Sequence, residues 1–257
     1  MASLAPAVRR RIRVGIDVLG QPKDRLVRWA ATAGLRPLAL PGQQRVLVLP
    51  PYAPGSLGDE ALMEGTLGEL RRRGWEPAIV EYRREQRWGP LKDCPSLDLS
   101  AFFHLDRQVA PLSRADLARF KAALAGYDRF VMIGADILDG YYNPSRTMRR
   151  LLLADIAARS GLATSVISCS FNAIPARRAA QAMQALPDSV RVAVRDEISH
   201  ARTERVLGRP CELVADVAFL MTPDTSAVRV AEVADWAARQ RAQGRLVIGT
   251  NLNLHPF

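Results

Sequence analysis

Short apolar runs alternate with amphipathic stretches along most of the chain. Val46-Leu47-Val48-Leu49, Ala78-Ile79-Val80, Arg129-Phe130-Val131-Met132-Ile133, Thr164-Ser165-Val166-Ile167-Ser168 and Arg191-Val192-Ala193-Val194 are β-branched or aliphatic runs bounded by turn residues, the pattern of buried strands. Between them lie stretches of helical period. From Asp59 to Arg73, Leu62, Met63, Thr66, Leu67 and Leu70 make a one-sided stripe; Arg71, Arg72 and Arg73 complement the helix dipole and Gly74 ends the helix. Further helices are expected over residues 24–33, 114–125, 147–159, 176–186, 198–207 and 227–241. Strands alternating with helices of ~10 to 15 residues predict an α/β fold with a doubly wound, mostly parallel, Rossmann-like sheet. Residues 83–112 are irregular, with Trp88, Pro90, Pro95 and Phe102-Phe103. They read either as an acceptor-binding insertion or as a loop packed by its own aromatics.

The loops after these strands hold the candidate chemistry, because open α/β sheets bind ligands beyond their strands' carboxyl ends. After Val46–Leu49 come Pro50, Pro51, Tyr52, Ala53 and Pro54, then Gly55-Ser56-Leu57-Gly58-Asp59-Glu60-Ala61-Leu62. Gly55 and Gly58 allow unusual backbone angles and close approach of a ligand, and Ser56 offers a hydroxyl. Asp59 stands where it either caps the helix or reaches into the cleft. The third apolar run ends in Gly134-Ala135-Asp136-Ile137-Leu138-Asp139-Gly140, where Asp136 and Asp139 are either turn residues or acceptors for vicinal sugar hydroxyls. The fourth leads to Cys169-Ser170-Phe171-Asn172, and the fifth to Arg195-Asp196-Glu197-Ile198-Ser199. Arg195 can present a forked cation to a carboxylate or phosphate, and Asp196 is a natural N-cap.

Gly55 to Leu62 resembles the Gly-Asn-x-Gly-Asp-Glu-Ala-Ile element of the polysaccharide pyruvyl transferase family. Further likenesses follow in order: the glycine-rich loop at Gly134, where Ala135 and Asp136 replace glycines; the small-residue loop at Ser170; Arg195-Asp196 with Ser199; and Asp216-Val217-Ala218-Phe219, similar to an Asp-Pro-Ala-Phe element. The resemblance spans about residues 46 to 253. It implies the N-terminal half of a two-domain fold similar to B-type glycosyltransferases, and transfer of a pyruvyl unit from phosphoenolpyruvate to a saccharide or lipid-linked glycan as a ketal. Asp59 and Arg195 would then be catalytic, with Gly55, Ser56, Gly58, Gly134, Asp136, Asp139, Ser170 and Ser199 binding substrate. The family's second domain supplies an Arg-x-His element that does not occur in this sequence, which implies that the chain alone is incomplete for turnover. The expected organisation is an N-terminal extension over residues 1–43, with a short strand at Val14–Val18; a Rossmann-like domain over 44–224; and, over 225–257, a linker helix and a strand from Leu246 that opens a second domain.

Composition changes this picture little. The 257 residues are 48% hydrophobic and 24% charged, as in ordinary globular proteins, and leave room for a large core. The net charge of +10 comes almost wholly from arginine, the lysines being Lys23, Lys92 and Lys121, and it is spread without a long basic block. No nucleic-acid partner is expected. Cys94, Cys169 and Cys211 make an odd set without a Cys-x-x-Cys pair, which fits a reducing cytoplasm. Three scattered histidines predict no metal site, and neither a Gly-x-Gly-x-x-Gly nor a Walker loop points to a nucleotide cofactor, so no cofactor is expected. No run of about 18 apolar residues occurs, so the chain is soluble or at most peripheral to the inner face of a membrane. Two other readings share the cleft: a B-type glycosyltransferase using a sugar nucleotide, and a glycan-binding protein without turnover.

Overall fold

The computed structural model describes residues 22–52, 55–82, 93–103, 113–222, 226 and 228–250. The expected strand at Val14–Val18, Trp88, His104 and the last seven residues lie outside them. The chain forms two compact units, Met1–Met221 and Thr222–Phe257.

Among the described residues seven strands form one open sheet in the first unit: β1 (Arg45–Leu49), β2 (Glu76–Glu81), β3 (Ser96–Asp98), β4 (Arg129–Ala135), β5 (Ala163–Cys169), β6 (Arg191–Val194) and β7 (Glu212–Leu213). Their spatial order is β3-β2-β1-β4-β5-β6-β7, and every pairing is parallel. The order therefore reverses between β1 and β4, and the loops beyond those two strands flank the switch point where such sheets hold ligands. Helices join the strands: α1 (residues 22–32), α2 (Leu57–Arg72), α3 (Ser100–Phe103), α4 (Arg114–Ala123), α5 (Pro144–Arg159), α6 (Arg177–Gln184) and α7 (Glu197–Leu207).

Two-residue periodicity divides the core. In β1, Leu47 and Leu49 face one cluster with Phe130, Met132, Leu151, Leu153 and Ile156, while Val46 and Val48 face the other, with Leu62, Met63 and Leu67 of α2. Both sheet faces are covered, which is why the strands read as unbroken apolar runs rather than alternating ones. The doubly wound, Rossmann-like α/β fold expected from that pattern is the fold observed.

Several boundaries differ from the sequence reading. Ser56, not Asp59, caps α2, its Oγ accepting from the Asp59 N–H, so Asp59 lies inside the first turn. Helix α5 begins at Pro144 with Asn143 as N-cap, three residues before the expected Thr147, whose hydroxyl instead donates to the Ile137 carbonyl at 2.7 Å. Within the stretch read as irregular, the three-residue edge strand β3 and α3 bring Phe102 and Phe103 into the main core against Tyr82. The helix expected over residues 24–33 within the N-terminal extension packs on the main core. Ala31 is buried in the main core, Arg28 pairs with Asp155 at 2.6 Å, and Asp24 pairs with Arg178.

The second unit contains α8 (Val228–Ala242), with no buried residue. Residues 246–250, expected to begin a strand, are unpaired, and Leu246 and Ile248 are exposed. A strand exists only against a hydrogen-bonding neighbour, and no neighbour stands beside them among the described residues.

Candidate active site

The β1–α2 loop is shaped by its own polar groups. Gly55 has φ 118°, closed to residues with a side chain, and its N–H donates to Glu60 Oε1 at 3.1 Å. With the Ser56 cap this forms a reciprocal clasp on the helix start. Gly58 lies in open space, the Ser56 Oγ being 3.9 Å from where a Cβ would stand, so the backbone here can be approached. Relieved of capping, the Asp59 side chain is half-buried. Burial first, and then the Asp136 carboxylate, raise its carboxyl from 3.8 to about 6; Arg150 and Arg195 pull it down, and Glu60 pushes it up slightly. Asp59 thus registers charges from the β4 and β6 loops and from α5.

Beneath the loop lies Arg150, fully buried in α5. Its Nη1 donates to the carbonyls of Pro50 at 2.6 Å and Pro51 at 2.8 Å and to the Tyr82 hydroxyl, and its Nη2 donates to the Ile133 carbonyl at 2.6 Å. One cation therefore gathers the carboxyl ends of β1, β2 and β4. Burial pushes its guanidinium down to about 9, which leaves it charged at neutral pH. Nε has no partner. A turn earlier, Arg146 stacks over the Tyr52 ring at 4.8 Å, its Nε likewise buried and without a hydrogen-bond partner among the described residues. Sequence reading missed both residues. Their signal was three arginines, Arg146, Arg149 and Arg150, immediately before the apolar run Leu151-Leu152-Leu153-Ala154.

The β4 loop separates its two acids. Asp136 is reachable and accepts from the Tyr142 hydroxyl at 3.0 Å, beside the exposed, edge-to-face pair Tyr141 and Tyr142. Asp139 is buried: one oxygen accepts from the Tyr141 N–H at 2.7 Å, and the other accepts from the backbone and side-chain N–H groups of Asn172. It staples the β4 loop to the β5 loop and turns no oxygen toward the cleft. Gly134 is a packing residue, since a Cβ would stand 2.7 Å from the Cys169 Cβ and 2.8 Å from Leu138 Cδ1. Ala135, which replaces a glycine of the resembled element, takes φ 47°, a conformation natural to glycine.

Ser168 also departs from ordinary backbone, at φ 51°, and its Oγ accepts from the Val217 N–H at 3.0 Å. Beyond it, Ser170 Oγ accepts from Arg195 Nε at 2.7 Å, while Arg195 Nη1 pairs with Asp216 at 2.7 Å. Nη2 of Arg195 has no partner among the described residues. Asp196 caps α7, accepting from the Ser199 N–H at 2.7 Å; desolvation, the largest single influence, pushes its carboxyl up, but the Ser199 and Ser170 hydrogen bonds and the Arg195 charge together hold it below the usual carboxylate range. Ser199 is buried and accepts from the Phe171 N–H at 2.9 Å, so it supports the β5 loop from behind.

Gly55, Ser56, Gly58, Asp59, Asp136, Ser170 and Arg195 therefore gather at the carboxyl edge of one parallel sheet. Gly134, Asp139 and Ser199 lie behind it as packing and bracing. Two acids, one of them poised near neutrality, share this edge with arginines held by carbonyls and a counter-ion. The sequence model of polysaccharide pyruvyl transferases matches residues 57–251, which includes each of these loops from Leu57 onward.

The chain belongs to the polysaccharide pyruvyl transferase family.

No curated protein and no solved structure matches it significantly. Family membership makes the chain a transferase. Among the described residues no helix is long and apolar enough to cross a membrane.

Proposed function

We propose that this pyruvyl transferase takes the enolpyruvyl unit of phosphoenolpyruvate and sets it as a ketal on two hydroxyls of a saccharide or lipid-linked glycan, releasing phosphate. The observation that carries the reading is Asp59. It is a carboxyl raised to about 6 at the switch point, electrostatically coupled to Asp136 and to the cations Arg150 and Arg195.

A ketal needs one acceptor oxygen to bond to C2 while C3 takes a proton, then loss of phosphate as the second oxygen closes on C2, so that of the two protons the hydroxyls give up one balances that gained by C3 and the other leaves with the phosphate. Each acceptor hydroxyl must give up its proton. A carboxylate titrating near 6 is matched to that task at neutral pH. Asp59 takes the proton of the attacking hydroxyl, and Asp136, reachable and acceptor-only when ionised, orients the neighbouring hydroxyl. Arg195 offers Nη2 to the carboxylate or phosphate of the donor, pre-oriented by Ser170 and Asp216. Arg150 fixes the floor under Asp59 rather than touching substrate. These steps need no metal or organic cofactor.

The decisive experiment supplies the enzyme, together with a domain carrying the Arg-x-His element that the family resemblance implies, with phosphoenolpyruvate or sugar nucleotides and free or lipid-linked glycans, and follows acceptor-dependent phosphate release and the acceptor's mass. Pyruvylated glycan from phosphoenolpyruvate alone is the expected result. Glycosyl transfer from a sugar nucleotide, or glycan binding with neither donor consumed, overturns it. A charge-assisted hydrogen bond contributes about 1.5–3 kcal/mol, so Arg195→Ala should weaken phosphoenolpyruvate binding roughly 10- to 100-fold by calorimetry, with acceptor affinity kept.

A further inference from the structure

We propose that His200, Glu204 and Cys211 form a binding site for a borderline divalent cation of the zinc class. His200 and Glu204 are one turn apart on α7 and so project from one face of it. Gly208, left-handed at φ 69°, ends that helix and turns the chain back, which brings Cys211 against the same face just before β7.

The ligand atoms of the three side chains all lie within 4.8 Å of one another, and each residue is half-buried, partly dry yet open to entry. Around a tetrahedral zinc, bonds of about 2.0–2.3 Å put such atoms about 3.3–3.5 Å apart, so side-chain rotation of about 1 Å closes the set. Imidazole, carboxylate and thiolate form a donor set for zinc with a fourth position for water.

The backbone already holds the three together. The Cys211 N–H donates to Glu204 Oε1 at 3.3 Å, the His200 ring nitrogen Nε2 is 3.0 Å from the Cys211 carbonyl and 3.6 Å from Glu204 Oε1, and Cys211 Sγ is 3.9 Å from the His200 carbonyl. Such cross-bonds keep the ligand-bearing loop in place. The sequence hides the site because a search for paired histidines or cysteines passes over one His, one Glu and one Cys spread across twelve residues. The cluster stands at the amino end of β7, away from the loops of the active site. An ion here ties α7, which begins beside Arg195, to the strand that leads to Asp216. It is a positioning ion, and the proposal does not depend on which reaction the enzyme performs.

The test uses purified, tag-free protein stripped with a chelator and titrated with Co²⁺. The expected result is a thiolate-to-cobalt charge-transfer band that saturates at one ion per chain and is bleached by Zn²⁺. Cys94 and Cys169 are buried, so the band should vanish in Cys211→Ser. Zinc should raise the melting temperature of the wild type and leave that of Cys211→Ser unmoved. His200→Gln and Glu204→Gln should each weaken Zn²⁺ binding by more than the about 10- to 100-fold typical of an outer-shell loss, with the circular dichroism of the apo protein unchanged. The wild-type titration is decisive by itself: no band, or one that survives Cys211→Ser, overturns the proposal.

Discussion

At Asp59 the chemistry and the stability of the fold pull in opposite directions. Its carboxyl is raised from 3.8 to about 6, so between those values the folded chain keeps a proton that the unfolded chain has released. Folding stability must then fall as pH rises from about 4 through about 6, and level off above. Asp59→Asn carries no charge to desolvate and leaves the Ser56 cap intact, so it should flatten that decline and unfold at higher denaturant than wild type at pH 8. Parallel stability profiles for the two proteins would show that Asp59 is not the strained group. Turnover should move the other way. With Asp59 as base, wild-type activity rises through about pH 6, and the variant loses both that limb and about 10²- to 10⁴-fold in kcat. Arg150 differs in kind, because its bonds run to buried main-chain carbonyls, of which that of Pro50 is shared with the Tyr82 hydroxyl. Each buried group left unpaired costs about 1–3 kcal/mol, so Arg150→Leu should lower unfolding free energy by more than about 3 kcal/mol in urea titration. A loss below about 1 kcal/mol would mean that water or relaxation replaces it.

Among the elements, close backbone approach decides where functional side chains stand. Gly65, on the middle of α2, faces the 3₁₀ turn Val217–Leu220, and a Cβ there would stand 2.3 Å from the Val217 carbonyl oxygen. That turn follows Asp216, the counter-ion of Arg195. Gly65→Ala should therefore destabilise by about 1–3 kcal/mol as an overpacked contact and also weaken donor binding by displacing Asp216. An unchanged affinity at reduced stability would separate the turn from the site. Such a contact is invisible in the sequence, where Gly65 is one more small residue in a helix. What could be read there was whatever carries a period or a punctuating loop: β1, β4, β5 and β6 as apolar runs, the Gly55–Gly58 loop, and the Asp196 cap with Gly208. Strand β3 has three residues and no period to detect. Asp136 and Asp139 look alike in the chain, and only the tertiary position of Asn172 turns one inward. Ser56 took the cap because its short hydroxyl reaches the Asp59 N–H, which released the more reactive side chain.

In the molecule as a whole, the arginine excess is largely structural. Arg28 and Arg159 share the buried Asp155, Arg178 holds Asp24, and Arg209 donates to the carbonyls of Pro187 and Val190. Guanidinium forks suit this work, because several donors on one plane bridge carbonyls that a lysine would meet singly. The positive charge accordingly gives little reason to expect a polyanion partner. Both apolar clusters are built from the first unit, whereas α8 contributes no buried residue and exposes Val228, Val230, Val233 and Trp236. Burial of apolar surface is the main source of folding free energy, so the unit ending at Met221 should hold its own stability. A chain cut after Met221 should melt within about 2 °C of the longer one, the shift expected for less than about 0.5–1 kcal/mol in a domain of this size. Its tryptophan-free strands β1, β4 and β5 should keep the slowest amide exchange, and the amides of α8 should exchange fastest in the uncut chain. A fall of the midpoint well beyond that range, or strong protection of α8, would show that the second unit contributes to the stability of the first.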